Sequence, residues 1–233
     1  MAAESERRTF PVEASAIVFD LDGTLLDTLP DLARATNLML ADIGMPQVDQ
    51  AQIRAYIGDG AVRLVKRALT GDWEREPDKA LFERALPIFN RHYGEGVALA
   101  SRPYDGVVEA LEAFRQRGFS LGCVTNKPEV FTLPLLEKSG LASYFDVIVS
   151  GDVLPRKKPD PMPITYACGF FRARPERVMM VGDAGNDCAA GRAAGCPVLG
   201  VSYGYVPTGD VSSIGFDAIV DNLVEALGLV RFF

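Results

Sequence analysis

A pair of aspartates, Asp20 and Asp22, follows a short run of β-forming residues near the start of the chain. Residues 17–19 predict a strand buried on both faces, because the run is too short and too β-branched for a helix. Asp20 would then lie at the carboxyl end of that strand, where open α/β sheets bind ligands. Asp20 can serve as a nucleophile and as an oxygen ligand for Mg²⁺, and Asp22 can transfer a proton at the same reacting centre. The plainer alternative is a turn that is polar because turns are polar.

Two groups suited to binding phosphate follow later predicted elements. Thr125 comes directly after the predicted strand 119–124, and its hydroxyl, with the amide of Asn126, can donate hydrogen bonds to phosphate oxygens. Lys158 can neutralise a phosphate and hold the carboxylate of Asp20. The alternative for Lys158 is a solvated basic turn, because runs of charge usually lie in solvent.

Two further aspartates, Asp183 and Asp187, complete a predicted acidic cluster. Asp183 follows a predicted strand, and Asp187 begins a predicted helix one turn later. Together with Asp20 they would bring three carboxylates close to one another, and such groups repel unless a cation neutralises them. A ligand set made only of oxygens favours Mg²⁺ over Zn²⁺.

The elements that position these residues alternate between strand and helix beyond residue 100. This alternation predicts an α/β fold with right-handed crossovers and a mainly parallel sheet covered on both faces. The candidate residues should converge, because the carboxyl ends of parallel strands meet at one edge of a sheet. The pattern also predicts a last helix after Asp221. The predicted strands after the first are 119–124, 145–149, 177–181, 197–201 and 216–220.

Residues 28–100 have helical periodicity and contain no convincing strand. Thr28 is predicted to cap the first helix of this segment, with Pro30 in the first turn. A connection of this length far exceeds an ordinary loop, so we interpret 28–100 as a helical cap inserted into a core of residues 1–27 and 101–233. The alternative is that these helices simply extend the core.

The composition excludes several classes of function. The chain has 233 residues and a formal net charge of −7, which argues against nucleic acid or an anionic membrane as the partner. The four cysteines lack metal-binding spacing and are expected to be reduced and mostly buried, and a single histidine, His92, excludes multi-histidine metal sites. No apolar segment suits a secretory signal or a membrane span, which predicts a cytoplasmic protein.

The candidate groups, in their order along the chain, resemble the four motifs of the haloacid dehalogenase superfamily. The similarity covers about residues 15–229, and the helical segment resembles the helical type of cap in that superfamily. The resemblance implies an α/β fold with a Rossmann-like parallel sheet core and an inserted all-helical cap domain. The matching motifs are Asp20-Leu21-Asp22-Gly23-Thr24, Thr125, Lys158-Pro159, and Gly182-Asp183 with Asp187.

The resemblance also implies a mechanism. Asp20 would attack phosphorus and form an aspartyl-phosphate, and Asp22 would protonate the leaving group and then activate water. Mg²⁺ would be held by the carboxylates of Asp20 and Asp183 and the backbone carbonyl of Asp22. Asp187 would hold a metal-bound water or orient its loop. Thr125 and Lys158 would bind the transferring phosphoryl group.

Shorter motifs resemble those of superfamily phosphatases that hydrolyse 2-phosphoglycolate, among them residues 124–128 and 202–205. They imply a Mg²⁺-dependent phosphomonoesterase acting on this small-molecule phosphate ester. Two alternatives are the same chemistry on a sugar phosphate or pyrophosphate, and a phosphomutase of the β-phosphoglucomutase kind. A dehalogenase needs neither Asp22 nor a metal cluster. A binding module without catalysis would be favoured by the loss of a catalytic group, and all of them are present.

Overall fold

Six strands form a fully parallel sheet at the centre of the protein, which confirms the predicted α/β fold. The computed structural model describes residues 8–206 and 210–233. The strands are β1 (Val12–Ala14), β2 (Ala16–Phe19), β3 (Leu26–Asp27), β4 (Arg102–Pro103), β5 (Ser120–Val124), β6 (Val147–Val149), β7 (Val178–Gly182), β8 (Val198–Val201), β9 (Ala218–Val220) and β10 (Val230–Phe232).

The helices fall into two groups, one before β4 and one after it. Within the second group, helices alternate with the strands of the central sheet. None of the helices in the described part of the chain has the length and apolar character needed to cross a membrane. The α-helices are α1 (Leu29–Asp42), α2 (Gln50–Tyr56), α3 (Ala61–Thr70), α4 (Lys79–Glu95), α5 (Val107–Gln116), α6 (Glu129–Lys138), α7 (Met162–Phe171) and α8 (Gly185–Ala194).

The central sheet has the strand order β6-β5-β2-β7-β8-β9. Strand β2 pairs with β5 on one side and with β7 on the other, so the direction of winding reverses there. Open α/β sheets bind ligands at such a switch point, just beyond the carboxyl ends of the strands. Asp20 is the first residue after β2 and therefore lies at this point.

The sheet is covered on both faces, which makes β2 a rigid support. Successive side chains of a strand point to opposite faces. Ile17 and Phe19 belong to the apolar core that includes residues of α5 and α6, and Val18 belongs to the core that includes residues of α7 and α8. All three side chains are fully buried. Asp20 therefore follows a strand whose position is set by packing on both sides.

Helices α1 to α4 form an insertion between two short strands. Strands β3 and β4 pair antiparallel, with Leu26 opposite Pro103 and Asp27 opposite Arg102. The chain thus leaves the core and returns to it at neighbouring positions. The described residues between β3 and β4 contain helices and loops and no strand, as predicted. The exact limits of a cap domain stay a prediction.

The first turn of α1 is capped differently from the prediction. Thr28 occupies the N-cap position, but its side chain makes no capping hydrogen bond. The hydroxyl oxygen of Tyr205 instead accepts hydrogen bonds from the backbone N–H groups of Thr28, at 2.6 Å, and Leu29, at 2.9 Å. The same hydroxyl donates to Asp27 at 2.7 Å. A tyrosine of the core therefore satisfies the first donors of the insertion.

The end of the chain was predicted only in part. A helix follows Asp221 as expected, although it is a 3₁₀ helix, Leu223–Gly228, and strand β10, which was not predicted, follows it. Strand β10 pairs in parallel with β1, near the other end of the chain. Local periodicity does not reveal a pairing between segments so distant in sequence.

The remaining sequence expectations concern single residue types. All four cysteines are free and buried. His92 lies in α4, and its Nε2 is 2.8 Å from a carboxylate oxygen of Asp42 in α1. Helix α4 runs from Lys79 to Glu95 and contains Pro87. The expectation that a secretory signal is absent concerns the first residues, of which 1–7 lie outside the described part.

Candidate active site

Asp20 is almost fully buried, with 6% of its surface exposed, and its position is fixed from two sides. Its backbone N–H donates to the carbonyl of Val181 at 2.9 Å, which continues the pairing of β2 with β7. Its Oδ1 lies 2.8 Å from the Nζ of Lys158. That ammonium also donates to the carbonyl of Val124 at the end of β5, at 2.6 Å. The predicted contact between Lys158 and Asp20 is therefore present.

Asp183 follows the strand next to β2 and is held by two hydrogen bonds. Its Oδ1 accepts from the hydroxyl of Thr24 and its Oδ2 from the backbone N–H of Tyr205, each at 2.7 Å. A Cβ atom on Gly23 would lie 2.5 Å from the Oδ2 of Asp183, and Gly23 has a φ of +90°. The turn after Asp22 thus requires glycine, both for its left-handed conformation and for the close approach to Asp183.

Asp187 is fully buried in the first turn of α8. Its Oδ2 accepts hydrogen bonds from the backbone N–H groups of Asp183, at 3.2 Å, and Ala184, at 3.0 Å. Its Oδ1 lies 2.7 Å from the Nζ of Lys158. This arrangement favours the second of the two roles implied for Asp187, which is to orient the loop that carries Asp183.

Three buried carboxylates face one ammonium at this site. One oxygen from each of Asp20, Asp183 and Asp187 lies within 4.8 Å of the others. Burial raises the pKa of Asp20 to about 7, although the charge of Lys158 opposes the rise. Burial and the charges of Asp187 and Asp20 raise the pKa of Asp183 to about 8. Burial lowers the pKa of Lys158, but Asp187 and Asp20 outweigh this and raise it overall, so this ammonium stays charged.

The cluster fits a hard divalent cation. A single ammonium leaves the three carboxylates undercompensated, and the raised pKa values of Asp20 and Asp183 are the sign of that excess of negative charge. The donor set consists of oxygens alone, which hard cations prefer. Asp187 both accepts two backbone hydrogen bonds and contacts Lys158, whereas Asp183 accepts two hydrogen bonds from uncharged donors and Asp20 contacts Lys158, so Asp20 and Asp183 are the better ligands of the three.

Replacement of Asp183 by asparagine should stabilise the metal-free protein while removing its response to Mg²⁺. The amide can still accept from Tyr205 and can donate to the hydroxyl of Thr24, while the buried charge is lost. A group whose pKa is raised to about 8 destabilises the fold at neutral pH, so we expect a gain of about 1–2 kcal/mol, or about 2–8 °C in Tm. Thermal unfolding with a chelator and with Mg²⁺ measures both effects.

The matched control for this measurement is Asp72→Asn. Asp72 lies in an exposed loop and accepts from the backbone N–H groups of Glu74 and Arg75 through a single oxygen, which asparagine retains. This variant should respond to Mg²⁺ as the wild type does. A metal-free Asp183→Asn protein that is less stable than the wild type, yet still gains stability from Mg²⁺, would contradict the assignment.

Asp22 is paired with Lys127, a residue that was not predicted as a site residue. The Nζ of Lys127 lies 2.9 and 3.0 Å from the two carboxylate oxygens of Asp22. The same ammonium lies 4.7 Å from the ring centre of Tyr93, which belongs to α4. The side chains of Lys127 and Asp22 are only 4% and 16% exposed. The available sequence signal was the position of Lys127, in the loop after β5 that also carries Thr125.

The predicted phosphate-binding residues Thr125 and Asn126 lie at the same edge of the sheet. The backbone N–H of Thr125 donates to Val149 at 3.0 Å, and its hydroxyl oxygen accepts from the N–H of Lys127 at 3.2 Å. The hydroxyl proton of Thr125 can therefore serve another acceptor. The side-chain amide of Asn126 donates to the carbonyl of Lys158 at 3.0 Å, which ties together the two loops predicted to bind phosphate.

A pocket lies between these residues and the helical insertion. Asp20, Asp22, Thr125, Asn126 and Lys127 line it on the side of the sheet. The side chains that line it from the insertion are mostly apolar. They are Leu32, Ile57, Ala61, Leu64 and Tyr93. The pocket therefore suits a small polar group bound at the sheet edge and covered by a largely apolar surface.

The loop between α2 and α3 contacts the core at the rim of this pocket. The carbonyl of Gly58 accepts from the side-chain amide of Asn186 at 2.7 Å, and the carbonyl of Asp59 accepts from Lys157 at 2.5 Å. Gly60 has a φ of +86°, and a Cβ atom there would lie 2.9 Å from the carbonyl oxygen of Asn126. Backbone groups of the insertion thus contact the loops that carry the candidate catalytic residues.

Comparison with known proteins finds a matching family model and relatives that are similar over nearly the whole chain. The family model described as haloacid dehalogenase-like hydrolase matches residues 17–201. A phosphoglycolate phosphatase of Thiobacillus denitrificans is 51% identical over 96% of this chain and 98% of its own length. A phosphoglycolate phosphatase of Nitrosospira multiformis is 50% identical over 95% of this chain and 98% of its own length.

A solved structure shares the fold. The crystal structure of a predicted phosphoglycolate phosphatase from Haemophilus somnus has a TM-score of 0.86 and is 37% identical in sequence. The match covers 92% of this chain and 96% of that one, so it includes both the central sheet and the helical insertion.

Proposed function

Because this chain belongs to the haloacid dehalogenase-like hydrolase family, we propose that it is a Mg²⁺-dependent phosphomonoesterase that hydrolyses 2-phosphoglycolate to glycolate and phosphate. The observation that carries the proposal is the buried Asp20 at the switch point of the sheet, with Lys158 at 2.8 Å and Asp183 directly after the neighbouring strand. The two relatives named as phosphoglycolate phosphatases support the choice of substrate, since each is at least 50% identical over nearly the whole chain.

The first half of the proposed reaction forms a phosphorylated enzyme. A carboxylate oxygen of Asp20 attacks phosphorus, and the bond between phosphorus and the ester oxygen breaks. Asp22 gives its proton to that oxygen, which leaves as the hydroxyl of glycolate. Thr125 and Asn126 donate hydrogen bonds to the phosphoryl oxygens, and Lys158 holds Asp20 in the attacking orientation.

The second half restores the enzyme. Asp22, now ionised, takes a proton from water as the water oxygen attacks phosphorus, and the bond from phosphorus to Asp20 breaks. Phosphate leaves, and Asp22 is again protonated for the next cycle. When bound to Asp20, Asp183 and the carbonyl of Asp22, Mg²⁺ supplies positive charge that offsets the carboxylates and the phosphoryl oxygens.

Residues 28–100 are proposed to be the cap of this enzyme, and residues 1–27 and 101–233 its core. The contacts of Gly58 and Asp59 with Asn186 and Lys157 support this assignment, because they close the pocket above Asp20. A closed cap excludes water that would otherwise compete with the substrate for the phosphoryl group.

Phosphate release from a panel of small phosphates, with and without Mg²⁺, tests the proposal. We expect the highest kcat/KM for 2-phosphoglycolate and no release in the presence of a chelator. Preference for a sugar phosphate or pyrophosphate would retain the chemistry and replace the substrate. Conversion of a sugar phosphate to an isomer would indicate a mutase, and absence of any turnover would contradict an enzymatic role.

A further inference from the structure

The pocket contains very little positive charge. Among the described residues that line it, Lys127 is the only cation, beside the two carboxylates Asp20 and Asp22. Lys158 is already occupied by Asp20, Asp187 and the carbonyl of Val124. A substrate with a second anionic group, away from its phosphate, would therefore meet one ammonium in this pocket.

The arginines of α2 and α3 are directed to other partners. Arg54 donates to the carbonyl of Gly204, and Arg63 is paired with Glu76 at 3.1 Å. Arg67 is buried against Asp59 and donates to the carbonyl of Tyr56. The surface that these helices offer to the pocket is apolar, so a carboxylate of the substrate has no counter-charge there.

Lys127 is held firmly in place. Its carbonyl accepts hydrogen bonds from the backbone N–H of Gly151, at 2.8 Å, and from the hydroxyl of Thr132, at 3.1 Å. Its ammonium lies between the carboxylate of Asp22 and the ring of Tyr93. An aromatic ring is a weaker partner for a desolvated cation than a carboxylate, so this ammonium can take a second anion at a gain in energy.

The chemistry of the substrate brings its carboxylate to this position. In 2-phosphoglycolate a single methylene separates the ester oxygen from the carboxylate carbon. Asp22 is proposed to protonate that ester oxygen, and the Nζ of Lys127 lies within 3.0 Å of both oxygens of Asp22. The ammonium of Lys127, which contacts the proton donor Asp22, therefore also lies near the carboxylate of the substrate.

We propose that Lys127 binds the carboxylate of the substrate and is the residue that selects 2-phosphoglycolate over phosphate esters of the same size whose leaving group carries no charge. The inference rests on the proposed function and adds to it the residue responsible for substrate choice. The residue that recognises the substrate would then lie in the core and not in the helical insertion. It would also contact Asp22, the proposed proton donor.

The test compares two substrates in several variants. Ethyl phosphate has a methyl group in place of the carboxylate, so the ratio of kcat/KM for 2-phosphoglycolate to that for ethyl phosphate measures recognition of the carboxylate. In Lys127→Met this ratio should fall by about 10–100-fold, and Lys127→Arg should restore part of it. Lys127→Gln provides the same comparison in the event that the methionine variant does not fold.

Lys157→Met is the matched control. Lys157 carries the same charge and donates to the carbonyl of Asp59 at the rim, but it does not line the pocket. Its loss should leave the ratio of the two substrates within about twofold of the wild-type ratio.

The outcomes separate this inference from the proposed function. Equal losses on both substrates in Lys127→Met, with an unchanged ratio, would mean that Lys127 acts only through Asp22 and would overturn the inference while the proposed function stands. A wild-type enzyme that does not prefer 2-phosphoglycolate to ethyl phosphate would overturn the proposed function itself, and the selective role of Lys127 with it.

Discussion

Replacement of Asp20 by asparagine should lower kcat for 2-phosphoglycolate by about 10⁴-fold or more, a loss typical of removing a nucleophile. The amide is nearly isosteric with the carboxylate and keeps an oxygen that can accept from Lys158. It does not form the acyl phosphate that the mechanism requires. Phosphate release under saturating substrate and Mg²⁺ measures the effect, and Asp72→Asn, which removes a charge from an exposed loop, should retain wild-type turnover.

The loss in Asp20→Asn should arise without damage to the fold. Burial raises the pKa of Asp20 to about 7, so the ionised group is unfavourable to the metal-free protein. Its removal should therefore leave the metal-free Tm unchanged or raised. Turnover within about tenfold of the wild type in a folded variant would exclude Asp20 as the nucleophile.

Replacement of Asp22 by asparagine should slow turnover of 2-phosphoglycolate by about 10²–10⁴-fold, the usual value of acid–base assistance. The variant retains an oxygen to accept from Lys127 and the backbone carbonyl proposed as a metal ligand. Its stabilisation by Mg²⁺ should therefore match that of the wild type. This result would separate Asp22 from Asp183, whose replacement should abolish the response to Mg²⁺.

The choice of substrate makes the test of Asp22 sharper. p-Nitrophenolate leaves without a proton at neutral pH, so Asp22→Asn should still be phosphorylated by p-nitrophenyl phosphate. Hydrolysis of the phosphorylated enzyme still needs a base, so an initial burst of p-nitrophenolate should precede slow turnover. Near-normal steady turnover of 2-phosphoglycolate by this variant would remove Asp22 as the acid and base.

The positions of Asp20, Thr125 and Asp183 could be predicted because each follows an apolar run that forms a strand. The carboxyl ends of neighbouring parallel strands lie at the same edge of the sheet, whatever segments connect the strands. Recognition of each strand from its local sequence was therefore sufficient to predict that these residues meet at one edge. The contact between Lys158 and Asp20 was expected from charge alone, and the structure contains it.

Two features could not be predicted from local pattern, since each depends on a partner distant in sequence. The side chain of Lys127 is buried because it meets Asp22, 105 residues away, and a lysine in a loop is ordinarily expected in solvent. Strand β10 forms because β1 offers it an edge, and its three residues, Val230-Arg231-Phe232, are too few to set a period that distinguishes a strand from the end of a helix. In both places the local structure depends on a partner distant in sequence, which is an ion pair for Lys127 and strand pairing for β10.

The antiparallel pairing of β3 with β4 has a consequence for how such proteins diversify. Since Leu26 lies opposite Pro103, the two ends of the insertion are about 5 Å apart, a gap that a tight hairpin turn can span. The helical segment is therefore a module that can be exchanged, shortened or replaced without changing the order or the connections of the strands in the central sheet. Such a change would alter the mostly apolar cover of the pocket, to which Ile57 and Leu64 belong, and would leave the residues at the edge of the sheet, Lys127 included, in place.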